Sequence, residues 1–535
     1  MSELFNIESH VENPDITKLR EELHLDKCRL RPYAHQVVGI QRILTHPYLG
    51  VFDEMGVGKS LQVTVAAIIM ALRGTIDQVI IVAPASVRSV WFDPELGELS
   101  KHLWAHFPCT ITEYHSKIRT WNWFTQFNGQ RYNPKINFTI TNYDFIRVKE
   151  RIKPLFTLCS PKTLLVLDES SAIKNWRALQ TKASNDLRTR CGRVVLLNGT
   201  PIGNNPGDLY SQAYVMNPRI LACNSFFHFR ARYAIMGGWQ GKQIIAWRSL
   251  DDLQQRLAPY VIRRVKEQCL DLPPKIDSVP ISVALTSATW KIYKEMKDDM
   301  VAWLNNVDVS AASQAIVKAI RLSQITSGFI GGVERQELDD RPDFIEGHNP
   351  EIPNVFNVTH EIGREKLDMF LGWLKELLEI DPNLKLLCWS RFRPEVKRLN
   401  DELLIQFPNV NRGMIWGGQT RLERDNALKL LDPRTMPKGP VVVVGTPASG
   451  SMGLNLAGAH TVVYFSNDYS LKTRQQSEDR VHRPGQVYPV SYYDMIATGP
   501  NGQKTIDHAV MKALKNKKEI ANFTTSAWIE ALSED

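Results

Sequence analysis

Phe52-Asp53-Glu54-Met55-Gly56-Val57-Gly58-Lys59-Ser60 leaves the apolar run Tyr48 to Phe52 and enters a second apolar stretch, Leu61 to Leu72. A short apolar run, a glycine-rich turn and a helix start in that order describe a buried strand feeding a helix N-terminus. The helix is expected over Ser60 to Arg73, with Gly74 as its C-terminal stop. The strict pattern G-x-x-x-x-G-K-[ST] wants Gly where Asp53 sits, but the chemistry survives that departure. Gly56 and Gly58 let backbone N–H groups curl around a phosphate, and Lys59 brings positive charge to the β and γ phosphates of a nucleotide. Ser60 offers a hydroxyl to Mg2+ at the helix N-terminus. A plain glycine turn with a solvated lysine is the bland alternative, and the strand before and helix after weigh against it.

Six further apolar runs stop as abruptly. They are Val79 to Ala83 before Pro84, Leu164 to Leu167 before Asp168, Val194 to Leu197 before Asn198, Leu386 to Trp389 before Ser390, Val441 to Val444 before Gly445, and Thr461 to Phe465 before Ser466. Continuous apolar runs with helical segments between them are the signature of parallel strands buried on both faces, so the fold class is α/β. Ligands of such sheets bind at the carboxyl ends of the strands. Leu167-Asp168-Glu169-Ser170-Ser171 puts two carboxylates at one such end. Alone, that pair reads as a solvated turn; beside a phosphate loop it suits ATP hydrolysis, with Asp168 holding Mg2+ and Glu169 orienting and deprotonating the attacking water.

Four of the runs precede residue 200 and three follow residue 385, which implies two lobes in tandem with the break near Leu272. The expected division is an ATP-binding lobe over 1–272, with an insertion at about 205–262, and a second part over 273–535 that opens with a helical linker at about 280–360. Between the groups lie an aromatic-rich stretch (Phe226 to Tyr233, Trp239, Trp247), amphipathic helical patterns from Ser287 to Phe329, and a Pro/Asp/Glu-rich segment from Glu334 to Pro353.

At 535 residues with 43% hydrophobic and 23% charged, the chain has enough apolar material for several cores, which excludes a small module or wholesale disorder. No apolar run approaches the ~20 residues that span a bilayer, and the N-terminus lacks a secretory pattern, so a soluble cytoplasmic protein is expected. The seven cysteines form no C-x-x-C pair, which disfavours a disulfide framework or thiolate zinc site. A net charge of +8 is compatible with a polyanionic partner without requiring one. His102, His106 and Cys109, with His115 nearby, could be read as metal ligands, since histidines at i and i+4 share a helix face. Without a clear fourth ligand or paired cysteines, a metal site is not expected. Trp121-Asn122-Trp123-Phe124 reads as packing rather than base stacking, and Lys512, Lys515, Lys517 and Lys518 as a solvated face.

Gln476-Ser477-Glu478-Asp479-Arg480-Val481-His482-Arg483-Pro484-Gly485-Gln486 sets two arginines three apart, on neighbouring positions of one expected helical face. Both can reach a triphosphate. With this motif the chain resembles the Swi/Snf-type ATPases of helicase superfamily two. Asp53 to Ser60 resembles their D-E-M-G-x-G-K-[ST] loop, and Gln476 to Gln486 their Q-x-x-D-R-x-H-R-x-G-Q signature. Gln36-x-x-Gly39 is similar to their adenine-reading motif, and Ala83-Pro84-Ala85-Ser86 with Trp91, then Thr141-Asn142-Tyr143, to their first DNA-contact motifs. Asn198-Gly199-Thr200-Pro201 with Asn204-Asn205 resembles the coupling loop, and Arg263-Arg264 and Leu272-Pro273-Pro274-Lys275 the R-R and L-P-P-K elements. Ser390-Arg391-Phe392, Gly418 with Arg424, and Gly453-Leu454-Asn455-Leu456 follow in order.

The resemblance implies two RecA-like lobes closing on ATP and Mg2+. Lys59, Asp168, Glu169, Arg480 and Arg483 would be catalytic, with Ser60 and Asp168 on the metal. Gln36, Gly56, Gly58, Lys59, Ser60 and Gln476 would bind nucleotide, and Gly199, Thr200 and Pro201 would couple hydrolysis to movement. It implies DNA contacts at Pro84, Ser86, Thr141, Ser390, Thr446 and Asn455. The activity implied is translocation on double-stranded DNA that displaces or remodels protein–DNA or recombination and repair complexes; a strand-separating DNA helicase is the alternative, and a nucleotide-gated scaffold a third. The compact build is similar to bacterial or phage-encoded members, which would act at a nucleoid or in a host cytoplasm. Several positions depart from the pattern. The family often carries Asp-Glu-x-His where this chain has Asp168-Glu169-Ser170-Ser171, Leu30-Arg31-Pro32-Tyr33 sits two residues further upstream of Gln36, Ala448 to Gly453 is one residue longer, and Asn198 replaces a Thr.

Overall fold

The computed structural model describes residues 15–85, 87–93, 97–116, 118–123, 126–127, 130–199, 201, 206–237, 243–305, 312–331, 359–447 and 455–516. The chain divides into two compact units, one running to Asp271 and the other from Leu272 to Lys518.

The first unit is built on an eight-stranded sheet of β1 (Tyr48–Val51), β2 (Gln78–Ala83), β3 (Cys109–Glu113), β4 (Arg119–Trp123), β5 (Ile136–Asn142), β6 (Thr163–Leu167), β7 (Arg193–Leu197) and β8 (Val261–Ile262), in spatial order β8-β1-β7-β6-β2-β5-β3-β4. Neighbours are parallel except β3 with β4. Side chains alternate between two cores: Val79, Ile81 and Ala83 of β2 pack with α1 (Ala34–Thr45) and α2 (Lys59–Leu72), while Ile80 and Val82 face Leu165, Leu167 and Leu196. Burial on both faces is why these strands read as unbroken apolar runs. Helix α2 ends as expected: Gly74 has φ +69°, its N–H reaches Ala71 O, and the N–H of Thr75 reaches Met70 O.

The 205–262 stretch holds α3 (Asp208–Met216) and a short helix Phe226–Tyr233, whose Phe229 and Tyr233 rings pack 4.8 Å apart in the same core as Tyr210. Its last residues return to the sheet as β8, paired in parallel with β1. The Trp121 and Trp123 rings also pack, Trp121 stacking on Phe92 at 5.5 Å and Trp123 lying under the Arg29 guanidinium. All seven cysteines are free, no His/Cys/Asp/Glu cluster among the described residues is suited to a metal, and no helix among them is long and apolar enough to cross a membrane.

The second unit carries a six-stranded, wholly parallel sheet of β9 (Val279–Ala284), β10 (Lys385–Trp389), β11 (Asn411–Ile415), β12 (Val441–Gly445), β13 (Thr461–Tyr464) and β14 (Ser491–Thr498), in order β9-β14-β13-β10-β12-β11. Leu386, Cys388, Val442 and Val444 fill one core and Leu387, Trp389, Val441 and Val443 the other. Helices α4 (Ser287–Asn305) and α5 (Ala312–Thr326) occupy the amphipathic stretch, and α6 (Glu365–Ile380), α7 (Arg393–Gln406) and α8 (Leu471–Glu478) complete the helices used below. A strand, β9, stands where a helical linker was expected to begin. It is an edge strand with Pro280 in it and most of its residues exposed, so it shows neither apolar continuity nor clean alternation. Glu334 to Pro353 lies outside the described residues.

Candidate active site

Three loops of the first unit gather at neighbouring strand ends. The phosphate loop follows β1, the Asn198 loop follows β7, and the acidic turn follows β6; β7 lies between the other two. Gly56 and Gly58 have φ of +86° and +91°, conformations open to glycine, and Gly58 caps α2. Lys59 Nζ donates to Asp53 O at 2.8 Å and Glu54 O at 3.2 Å, so the ammonium sits inside the loop's curl. The loop is fixed from α1: His35 Nε2 and Gln36 Nε2 both donate to Val57 O at 3.0 Å, and burial lowers the His35 pKa and favours its neutral form. Gln36 Oε1 accepts from Tyr33 N at 2.9 Å. Its amide keeps one donor and one lone pair uncommitted by these two bonds, the pair needed to read the edge of an adenine.

Gly58 and Gln36 meet so closely that a Cβ on Gly58 would lie 2.1 Å from Gln36 Nε2. Gly58→Ala combines that clash with a left-handed φ, and is expected to raise the ATP KM by about tenfold and cost about 1–3 kcal/mol. Gly74→Ala shares the positive φ but meets nothing within 4 Å, and should cost only about 1 kcal/mol with the KM unchanged. Urea melts and ATP titrations of the two variants side by side check this; equal behaviour would remove Gln36 from the role of loop clamp.

Asp53 explains its own departure from the strict glycine. It is wholly buried and accepts from Arg264 Nε at 3.0 Å, Arg264 Nη2 at 2.9 Å and Gln62 Nε2 at 3.0 Å. Arg264 also donates to His35 O and Gln62 Oε1. Gly39 is required by this packing, since a Cβ there would lie 1.8 Å from Gln62 Oε1. The preceding Arg263 donates to Phe52 O at 2.7 Å and Gly199 O at 3.2 Å. The short edge strand β8 therefore delivers two arginines, one locking the phosphate loop and one joining it to the Asn198 loop. Sequence reasoning placed them as family elements without a job.

In the acidic turn, Asp168 Oδ2 accepts from Trp91 Nε1 at 2.8 Å, Oδ1 from the Glu169 N–H at 2.9 Å, and Asp168 O from Tyr143 OH at 2.8 Å. Burial, with the Glu169 charge beside it, lifts the Asp168 carboxyl to about 6 against the pull of Trp91 and Lys59. Burial and the same two carboxylates push the Tyr143 phenol well up. Trp91 is 1% exposed, so the indole grouped by resemblance with a DNA-contact motif serves the acidic site instead. Glu169 takes a left-handed φ of +49°. The Ser60 hydroxyl and Asp168 carboxylate are hard oxygen donors, the set that suits Mg2+.

The turn is joined to the Asn198 loop without a histidine. Ser170 Oγ donates to Gln212 Oε1 at 2.7 Å, and Asn198 Nδ2 donates to the same Oε1 at 3.2 Å and to Ser170 Oγ at 3.3 Å. Gln212 Nε2 donates to Pro201 O and Asp208 O, both at 2.8 Å. Gly199 backs onto Met55 of the phosphate loop. Thr200, Ser86, Asn204, Asn205, Gly453 and Leu454 lie outside the described residues.

In the second unit, α8 stops at Glu478, so Arg480 and Arg483 stand in the turns after the helix rather than on its face. These turns are held tightly. Glu478 is gripped by Lys275 and by Arg474 Nε at 2.6 Å. Burial opposes the charge, yet the two cations hold the Glu478 carboxyl at about 2. His482 Nε2 donates to Pro273 O at 2.8 Å, Leu456 N to Arg480 O at 3.1 Å, and Gln486 Nε2 to Ala459 O at 2.7 Å. Leu272-Pro273-Pro274-Lys275 is thus the strap of the arginine turns, and Gln476 is buried on α8.

Of the expected DNA contacts, Pro84 and Asn455 are partly exposed and Thr446 is buried. Thr141 and Ser390 have no exposed surface in this structure. Ser390 Oγ is committed to Glu395, which Ser466 Oγ also contacts at 2.6 Å. Burial raises the Glu395 carboxyl while the serine hydroxyls oppose it. Ser390 thus braces its loop through Glu395, and neither side chain is exposed to a phosphate backbone in this structure.

A glycine loop on a helix N-terminus and an acidic turn on the same sheet edge, in a chain of two α/β units with mainly parallel sheets, are features of a nucleotide-binding protein of the helicase type. The family description "SNF2-related domain" matches residues 49–327, and "Helicase conserved C-terminal domain" matches residues 370–485. The first match spans more than half of the chain, which belongs to the SNF2-related family. It is 25% identical over 491 residues to the DNA repair and recombination protein RAD54-like of Drosophila yakuba, covering 88% of this chain and 59% of that one. It is 23% identical over 506 residues to Protein CHROMATIN REMODELING 4 of Arabidopsis thaliana, covering 91% of this chain and 21% of that one. The chain spans less than two thirds of the length of these curated relatives. Among solved structures it is similar to the Sulfolobus solfataricus SWI2/SNF2 ATPase core in complex with dsDNA, at 20% identity and a TM-score of 0.39, with 94% of this chain and 95% of that one covered.

Proposed function

We propose that this chain hydrolyses ATP with Mg2+ in response to double-stranded DNA, translocates along the duplex, and thereby displaces or remodels protein–DNA or recombination and repair complexes. The observation that carries the reading is the cross-linked arrangement of phosphate loop, acidic turn and Asn198 loop at three adjacent strand ends. In it Lys59, Gly56, Gly58 and Ser60 cradle the phosphates, Gln36 reads the base, and Ser60 with Asp168 holds the cation. Glu169 takes the proton of the attacking water. Bound Mg2+ would neutralise the phosphate charge and offset the cost of burying Asp168 ionised. Gln476, Arg480 and Arg483 belong to the ATP chemistry of the second lobe, the two arginines supplying positive charge to the transferring phosphate.

The DNA part of the reading is supported by family membership, by the relatives named for DNA repair and chromatin remodelling, and by the basic surplus of +8. Pro84 and Asn455, with the loops carrying Ser86 and Thr446, are the proposed backbone contacts; such contacts are sequence-blind and salt-sensitive. Residues 1–272 are proposed as the ATP-binding lobe and 273–535 as the second lobe with its linker, acting in the cytoplasm.

ATPase rates without nucleic acid and with single-stranded DNA, duplex DNA and RNA test the proposal, alongside triplex displacement and fork unwinding. Duplex is expected to stimulate most, with the triplex strand displaced and the fork left paired. Unwinding of the fork would make the protein a strand-separating helicase, and equal rates under all four conditions would remove the DNA reading.

A further inference from the structure

We infer that Gln212 is a positioning residue that holds the acidic turn and the Asn198–Pro201 loop in one register and passes movement of the first to the second. The inference rests on the ATPase reading of this site. Nothing in the sequence around Gln212 marks it: it lies on α3, more than forty residues after Ser170, with no motif of its own.

A glutamine amide has two donors and two lone pairs, and Gln212 uses all four inside the protein: Oε1 accepts from Ser170 Oγ and Asn198 Nδ2, and Nε2 donates to Pro201 O and Asp208 O. Two carbonyl oxygens face Nε2, so the amide has one workable orientation; flipped, it would set oxygen against oxygen on one side and NH2 against NH2 on the other. Gln212 is 1% exposed, and Ser170 and Asn198 are fully buried. Because these groups are shut away from solvent, a shift of Ser170 forces Asn198, Pro201 and the start of α3 to follow or leaves buried polar groups unpaired. Ser170 is the residue after Glu169, so rearrangement around the nucleotide reaches this amide first. A second tie, Ser211 Oγ donating to Lys174 O at 2.9 Å, keeps α3 against the same turn.

Gln212→Leu roughly keeps the volume and removes all four bonds; Ser170→Ala removes one of those four together with the Asn198 Nδ2 bond to Ser170 Oγ. Duplex-stimulated and basal ATPase rates, ATP KM and thermal unfolding are measured for both. In Gln212→Leu the stimulated rate should fall about tenfold more than the basal rate, the size of an ordinary coupling factor. Ser170→Ala should move the ratio the same way by less, and the double variant no further than Gln212→Leu alone. A purely structural glutamine would lower both rates together with the folded fraction, and an unchanged ratio in both variants overturns the inference. Hydrogen exchange with a non-hydrolysable ATP analogue decides it independently of DNA. The analogue should alter exchange in α3 of the wild type and leave it unaltered in Gln212→Leu and reduced in Ser170→Ala; identical responses in all three overturn the inference even if duplex DNA fails to stimulate the enzyme.

Discussion

Glu169→Gln is expected to lower the ATP turnover number by about 10²- to 10⁴-fold, the range lost when a positioned general base is removed. The substitution changes one oxygen for an NH2 at constant shape, so the left-handed backbone at φ +49° and the bonds that set the turn, Glu169 N–H to Asp168 and Tyr143 OH to Asp168 O, are retained. Stability should therefore stay within about 0.5 kcal/mol of wild type, and a fluorescent ATP analogue should still bind. Lys59→Ala should fail differently. Its ammonium already lies against Asp53 O and Glu54 O, and its loss takes charge from bound phosphates, so affinity and turnover fall together. Single-turnover hydrolysis with bound nucleotide measured separately distinguishes the two. A Glu169→Gln variant that turns over within a few-fold of wild type would move the water-activating role to another residue.

How much of this was legible in the sequence follows from burial. Seven of the ten interior strands are covered on both faces and apolar over nearly all their length, so each run stands out within one residue of its observed bounds. The interior strands β3, β5 and β14 carry polar residues such as Thr110, Asn137 and Asp494 and do not read as apolar runs. Edge strands are half exposed and carry polar residues or proline, as Asn411–Ile415 and Val279–Ala284 do, and their pattern dissolves into loop-like sequence. The phosphate loop and acidic turn were readable because local chemistry dictates residue type there. The role of Arg264, placed only as a family element, and the position of Gln212 were not, since Arg264 acts on Asp53 and Gln212 on Ser170 through bonds that only the folded sheet brings together. The extension of α8 to Arg483 was a misreading of the same kind: the arginine turns are shaped by Pro273 and Lys275, about two hundred residues upstream. Thr141 and Ser390 show the converse, because a motif position marks a loop and leaves open whether its side chain points out or in.

The second large effect concerns stability. Arg264→Ala is expected to cost about 3–5 kcal/mol, because it strands Asp53 as an uncompensated charge with no exposed surface. Arg264→Lys should recover little, since an ammonium cannot reproduce the two-pronged bond to both Asp53 oxygens and also serve His35 O and Gln62 Oε1. Adding Asp53→Asn to Arg264→Ala removes the orphaned charge, so the double variant should be more stable than Arg264→Ala alone, a sign that two independent packing losses would not give. The site would feel the change as well. The carbonyl of Asp53 holds Lys59 and its side chain anchors the loop to β8, so ATP affinity should track the stability series. Urea unfolding of the four proteins measures this. If Arg264→Ala melts within about 1 kcal/mol of wild type, the acid at position 53 has no structural explanation, and the glycine of the strict pattern would serve there equally well.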